Sequence, residues 1–319
     1  MDMEQINKNE ISNSANKIGK FIIIVSFINI FCRIFLNNAL VNFLHNLGPL
    51  NKIDPIEIAM IVRSTQFKIA SITIALIIFK VNIKDVFSNK DSIYKLSLEC
   101  KTKLTLLFIS IGLIGAIPSM FIMMTYDKHI MNIPMAETSY LMSIFGIIVA
   151  PISEEFLYRG IILNQLKESG YLFSIVISSI YFGVMHGIGF LHAFIIGLIL
   201  GFAFTLTGNI IWPIIIHFIY NLTTDLIGYL FLPLLPHMSY IVVSLIMGNL
   251  LLVIFLITTL KDKEIKELYE KINIRNIINQ FKKDKEKYMV FADEPNIMIS
   301  IIGWFLIHVL GLISTVFLR

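Results

Sequence analysis

The chain has 319 residues, of which 56% are hydrophobic and 15% charged, with a mean hydropathy of +0.78 and a formal net charge of +4. Such an apolar balance excludes an ordinary soluble domain, and the small positive charge comes without any nucleic-acid-binding module. The chain reads as an integral membrane protein.

Runs of about 18 to 25 apolar residues, the length that crosses a bilayer, recur about nine times. In chain order they centre on 19–43, 57–80, 104–125, 138–163, 171–190, 191–207, 209–231, 240–260 and 297–318. The first contains Arg33 and lacks a small-residue cleavage site, which predicts a retained helix rather than a signal peptide. The second carries Arg63 and Lys68 within its apolar run, and the short fifth and sixth meet near Phe190 and Leu191. The expected fold is all-α, a polytopic transmembrane bundle of about 8–9 membrane helices. It divides into N-terminal membrane helices with a cytoplasmic loop (1–137), a central helical core (138–231), and C-terminal helices (232–319) with a charged cytoplasmic connector over 261–296.

Lys and Arg should gather in alternate loops on the cytoplasmic side. The N-terminus, the loop after the second helix, Lys167, the Gly208 turn and the 261–287 stretch together hold 19 basic residues, against 3 (Lys52, Lys128 and Arg319) on the other side. The N-terminus is therefore expected in the cytoplasm and the C-terminus outside. Cys32 and Cys100 fall in a membrane helix and a cytoplasmic loop, and free thiols are expected.

With the loops explained, the charges inside helices need a reason, because each costs about 2.5–3.5 kcal/mol at a helix centre. Glu155 and Arg159 are four apart, share a helix face and can pair. Glu154 points about a hundred degrees away from Glu155, so its partner must come from elsewhere in the bundle. Downstream, His186 lies in YFGVMHG, while His217 and Asn221 lie four apart on one helix face. Gly170 is midway between Glu154 and His186. An antiparallel hairpin there sets the two side by side, about 23 Å from the turn at roughly 1.5 Å per residue. Gly183 and Gly187, then Gly197 and Gly201, have the spacing of close helix packing.

Glu154-Glu155-Phe-Leu-Tyr-Arg159, Phe182-Gly-Val-Met-His186 and His217-Phe-Ile-Tyr-Asn221 occur in this order on consecutive apolar segments. They resemble the EExxxR, FxxxH and HxxxN signatures of the CAAX protease and bacteriocin-processing (CPBP, or Abi) family of intramembrane proteases. The resemblance covers about residues 138–231 and makes that stretch the expected catalytic core. It implies an intramembrane endopeptidase acting on a membrane-associated or lipid-modified protein or peptide, with Glu154 as general base.

Peptide hydrolysis needs an activated water and donors for the tetrahedral oxyanion. His186 is expected to help hold the water, and His217 and Asn221 to serve as oxyanion donors. Glu155 and Arg159 are expected to orient the site. Glu154, His186 and His217 would also suit Zn²⁺ with an open position for water. A metal-free glutamate mechanism stands beside that metalloprotease reading, and no H-E-x-x-H string is present. Phe182 is expected to pack on the His186 ring, and His192, His237 and His308 to serve packing. Two non-hydrolytic readings use the same residues: a bacteriocin-immunity or scaffold membrane protein, and a transporter with an intramembrane proton path. The expected partners are a peptide or protein substrate and membrane lipids. The Ile, Asn and Lys bias suggests an AT-rich genome and hence a bacterial cell membrane.

Overall fold

The computed structural model describes residues 3–87, 94–118, 140–231, 238–272, 274–304 and 306. Every regular element among them is helical, as expected for a bundle. Helix α1 (Met3–Phe31) runs through a π-helical turn, Cys32–Leu36, into α2 (Asn37–His45). It starts well before the apolar run centred on 19–43, because Ile11, Ala15 and Ile18 form a buried face that packs on the rest of the bundle.

Helix α3 (Pro55–Phe79) begins at Asp54, whose side chain accepts from the Ile56 N–H at 2.8 Å, with Pro55 in the first turn. A short α4 (Ile83–Phe87) follows, and α5 (Leu98–Gly115) is capped by Ser97. Helix α6 spans Leu141–Ser169. At Gly170 the backbone takes φ 118°, a conformation glycine adopts without strain, and the chain reverses into α7 (Tyr171–Val184). After a tight turn at Gly187–Gly189 come α8 (Phe190–Thr207), α9 (Ile211–Phe231) and α10 (Met238–Thr259). The connector forms α11 (Lys263–Lys271), α12 (Ile274–Lys283) and α13 (Lys285–Ala292), and α14 (Pro295–Trp304) closes the described chain.

Six helical spans among the described residues are long and apolar enough to cross a membrane, and Tyr171–Val184 and Pro295–Trp304 are shorter apolar helices. The expected third and ninth segments extend past residues 118 and 306, outside the described residues. The expected fifth helix is corrected at its end: α7 stops at Val184, and His186 sits on the turn before α8.

The main core runs from Ile11 and Ile18 of α1 through Leu157–Leu166 of α6, Phe173 and Phe182 of α7 and Phe204 of α8, to Phe291 and Ile297. Helices α7 and α8 approach closely at Gly197, where an added Cβ would lie 3.0 Å from Ser179 Cα. Phe27, Phe35, Ile77, Ile246 and Ile257 are exposed, as side chains facing lipid would be.

All the basic segments assigned to one side of the membrane meet at one end of the bundle. Lys8 is 3.6 Å from Glu286, Ser12 Oγ donates to Glu294 at 2.9 Å, and Lys287 Nζ donates to the Ser169 carbonyl at 2.6 Å. Beside them, Ser97 Oγ donates to Glu264 at 2.5 Å, Lys103 pairs with Asp262 at 2.5 Å, and Leu206 packs with Cys100, Leu104 and Leu268. Both cysteines are free.

Candidate active site

Glu154 and Glu155 lie near the middle of α6, where the helix is not regular. Two π-helical stretches, Phe145–Val149 and Phe156–Leu163, bracket an α-helical segment, Ala150–Glu155. In the first stretch the Ala150 N–H bonds back to the Phe145 carbonyl, five residues earlier. The same pattern would use the N–H of residue 151 for the Gly146 carbonyl, but that residue is proline and has none. Asn221 of α9 fills the vacancy, its Nδ2 donating to the Gly146 carbonyl at 3.0 Å. Such π turns concentrate at functional sites because they rotate side chains out of helical register.

Glu155 and Arg159 are both fully buried and pair as their spacing predicts, Nη1 donating to Oε1 at 2.9 Å. Arg159 Nη2 donates to the Gly197 carbonyl of α8 at 2.8 Å, which ties α6 to the α7–α8 hairpin. The same Oε1 of Glu155 lies 2.9 Å from His217 Nδ1. A carboxylate can only accept, so His217 carries its proton on Nδ1 and turns Nε2 towards Glu154, whose Oε2 is 4.0 Å away.

His186 Nδ1 lies 2.6 Å from the Phe182 carbonyl, which assigns that nitrogen the proton and leaves Nε2 as the lone-pair nitrogen of the neutral ring. Phe182 is the hub of the cluster. Its ring centroid is 4.6 Å from that of His186 and 5.8 Å from that of His217, and the Arg159 guanidinium stacks 4.8 Å from it.

The hairpin at Gly170 does bring Glu154 and His186 to one place: both line a cavity of about 180 Å³ between α3, α6 and the α7–α8 turn. Glu154, Glu155, Arg159, His186 and His217 form one cluster. Asn221 joins it through the α6 backbone, with one amide hydrogen used on Gly146. Asp225 accepts from Ser143 at 3.1 Å and His192 bonds Tyr220 at 2.7 Å, so both have partners of their own. His237 and His308 lie outside the described residues.

Lys68 was noted in the sequence only as a charge in the second apolar run, yet it supplies the partner that Glu154 needs. Its Nζ is 2.5 Å from Glu154 Oε1. The available signal was a cation four residues after Ser64 and three before Ser71 on one helix face.

Among the described residues no three His, Cys, Asp or Glu side chains converge as a metal-binding group. Lys68 takes one Glu154 oxygen, and Glu155 and the Phe182 carbonyl engage Nδ1 of His217 and of His186, which leaves Oε2 of Glu154 and both Nε2 atoms outside these bonds.

Among family models, Rce1-like, described as Type II CAAX prenyl endopeptidase Rce1-like, matches residues 136–223. No curated protein and no solved structure matches the chain. The matched stretch contains all three motifs and the cluster they build, and leaves out α3 and the connector. On the strength of that core, the chain is an integral membrane protein whose residues 136–223 are similar to the type II CAAX prenyl endopeptidase family model.

Proposed function

We propose that the protein is an intramembrane endopeptidase that hydrolyses a peptide bond through a water activated by Glu154. The observation that carries this reading is that Glu154 of α6 and His186 of the α7–α8 turn line one cavity, with Nε2 of His217 from α9 4.0 Å from Glu154 Oε2. Glu154 takes a proton from a water held by His186 Nε2, and the resulting hydroxide adds to the scissile carbonyl carbon. The oxyanion is met by the Nε2 side of the His217 ring and by the second N–H of Asn221. As the tetrahedral adduct collapses, the C–N bond breaks and Glu154 returns its proton to the leaving nitrogen. Glu155 and Arg159 orient His217 and lock α6 against α8.

The substrate class is a membrane-associated or lipid-modified protein or peptide. The matching family model is described by prenylated CAAX substrates, and processed peptides or leaders present the same bond chemistry. The basic end of the bundle, with the N-terminus and the connector, faces the cytoplasm of a bacterial membrane.

The test is cleavage of a peptide library by purified protein in lipid, comparing wild type with Glu154→Ala, His186→Ala and His217→Ala, each with and without a chelator. Loss of about 10²-fold or more in each variant is the expected result. Chelator sensitivity restored by zinc would place a metal in the reaction. Equal turnover in folded variants and wild type would overturn hydrolysis at this site in favour of a scaffold or immunity role.

A further inference from the structure

The chemistry proposed above draws on residues of α6, α9 and the α7–α8 turn that lie inside 136–223. Lys68 comes from α3, outside that stretch, and its ammonium is 2.5 Å from Glu154 Oε1. The two side chains are only 13% and 16% exposed, so the pair is shielded rather than a surface contact. Arg159 cannot replace Lys68, because it gives Nη1 to Glu155 and Nη2 to Gly197. Each of the adjacent carboxylates thus has its own cation.

Lys68 does not reach in from an otherwise lipid-facing helix. Ser64, Phe67, Lys68, Ser71 and Ile72 recur at helical spacing and line the same cavity as Glu154 and His186. Ser71 is 1% exposed, and its hydroxyl has no hydrogen-bond partner. A buried hydroxyl is rarely left unsatisfied unless something polar occupies the space it faces. This face of α3 therefore belongs to the contents of the cavity.

We propose that Lys68 is a positioning residue for the hydrolytic reaction. It holds Oε1 of Glu154, which turns Oε2 towards His217 and the cavity and makes α3 a further wall of the site. The inference rests on the proteolytic reading of Glu154. A lysine that merely offsets the insertion cost of Glu154 would need only its charge and would leave turnover by the folded enzyme unchanged. A positioning lysine acts on the geometry of the base, where a displacement of about 1 Å can cost about 10²-fold in rate.

The experiment compares wild type, Lys68→Met, Lys68→Arg, Glu154→Gln and the Lys68→Met/Glu154→Gln double variant in lipid nanodiscs. It reads kcat and KM on a peptide cleaved by wild type, and thermal unfolding. Lys68→Met is expected to lower kcat by about 10- to 10²-fold with KM within about twofold, and Lys68→Arg to recover most of the loss. The double variant should turn over no more slowly than Glu154→Gln and melt closer to wild type than Lys68→Met does. Unchanged kcat in Lys68→Met, with only a lower melting temperature, would overturn the inference and leave an insertion counter-ion. A raised KM with unchanged kcat would overturn it in favour of direct substrate binding. Wild-type turnover by Glu154→Gln would overturn the proteolytic reading itself, and this inference with it.

Discussion

Phe182 and Glu155 show how single residues organise the cluster. Phe182 touches His186, His217 and Arg159 at once, so one aromatic ring sets the spacing of a helix pair, a turn and an ion pair. Glu155 Oε1 accepts from both Arg159 and His217, while its Oε2 has no hydrogen-bond partner. Removing either half of this fully buried pair leaves a charge without compensation. Glu155→Gln and Arg159→Met are each expected to destabilise the protein by about 3–5 kcal/mol, whereas the paired Glu155→Leu/Arg159→Met variant recovers much of that loss. Denaturant unfolding in detergent would measure both. A pair of singles within about 1 kcal/mol of wild type would contradict the buried-pair account.

Helix α6 is irregular where it carries Glu154 and Glu155. Its Pro151 has no N–H, and the consequence is specific: the Gly146 carbonyl loses its five-residue partner and is satisfied by Asn221. Asn221→Ala should therefore cost about 1–3 kcal/mol of stability through an orphaned, half-buried carbonyl, in addition to any effect on turnover. Pro151→Ala restores the missing N–H, so the Pro151→Ala/Asn221→Ala double variant should be more stable than Asn221→Ala. Additive losses in thermal unfolding would remove the link. The hairpin partner α7 is short for a membrane crossing, and its early end at Val184 puts His186 on a turn, where Nδ1 can reach back to the Phe182 carbonyl.

At the scale of the whole molecule, the connector is held to the bundle at two places, α13 against α1 and the Gly170 turn, and α11 against α5. Hydrogen bonding to Lys103 holds the Asp262 carboxyl below the usual range, and Asp262 and Glu99 in turn raise the Lys103 ammonium. A depressed acid contributes stability above its unfolded value, near 3.9, and loses it as pH falls through the folded value. A raised lysine contributes below about 10.4 and loses it as pH rises. Docking of α11 should thus be level between about pH 5 and pH 9 and weaken below about pH 4. Amide exchange over 263–271 at pH 7 and pH 3.5 measures this, and equal protection would show that the pair does not hold the connector. Beside it, the Cys100 thiol is pushed up to about 11, first by burial and then by Glu264 and Asp262, which keeps it protonated and free.

The sequence by itself determined the helical membrane class, the grouping of basic segments at one end, the Glu155–Arg159 pair and the meeting of Glu154 with His186. Each is a local quantity: apolar run length, charge in short loops, a spacing of four, and a turn midway between two residues. Only the tertiary structure decided which cation faces Glu154, that Asn221 serves the α6 backbone, and that α7 ends before its histidine. Those features depend on contacts between helices far apart in the chain and on hydrogen bonds that depart from helical regularity, and neither leaves a periodic trace in the residues.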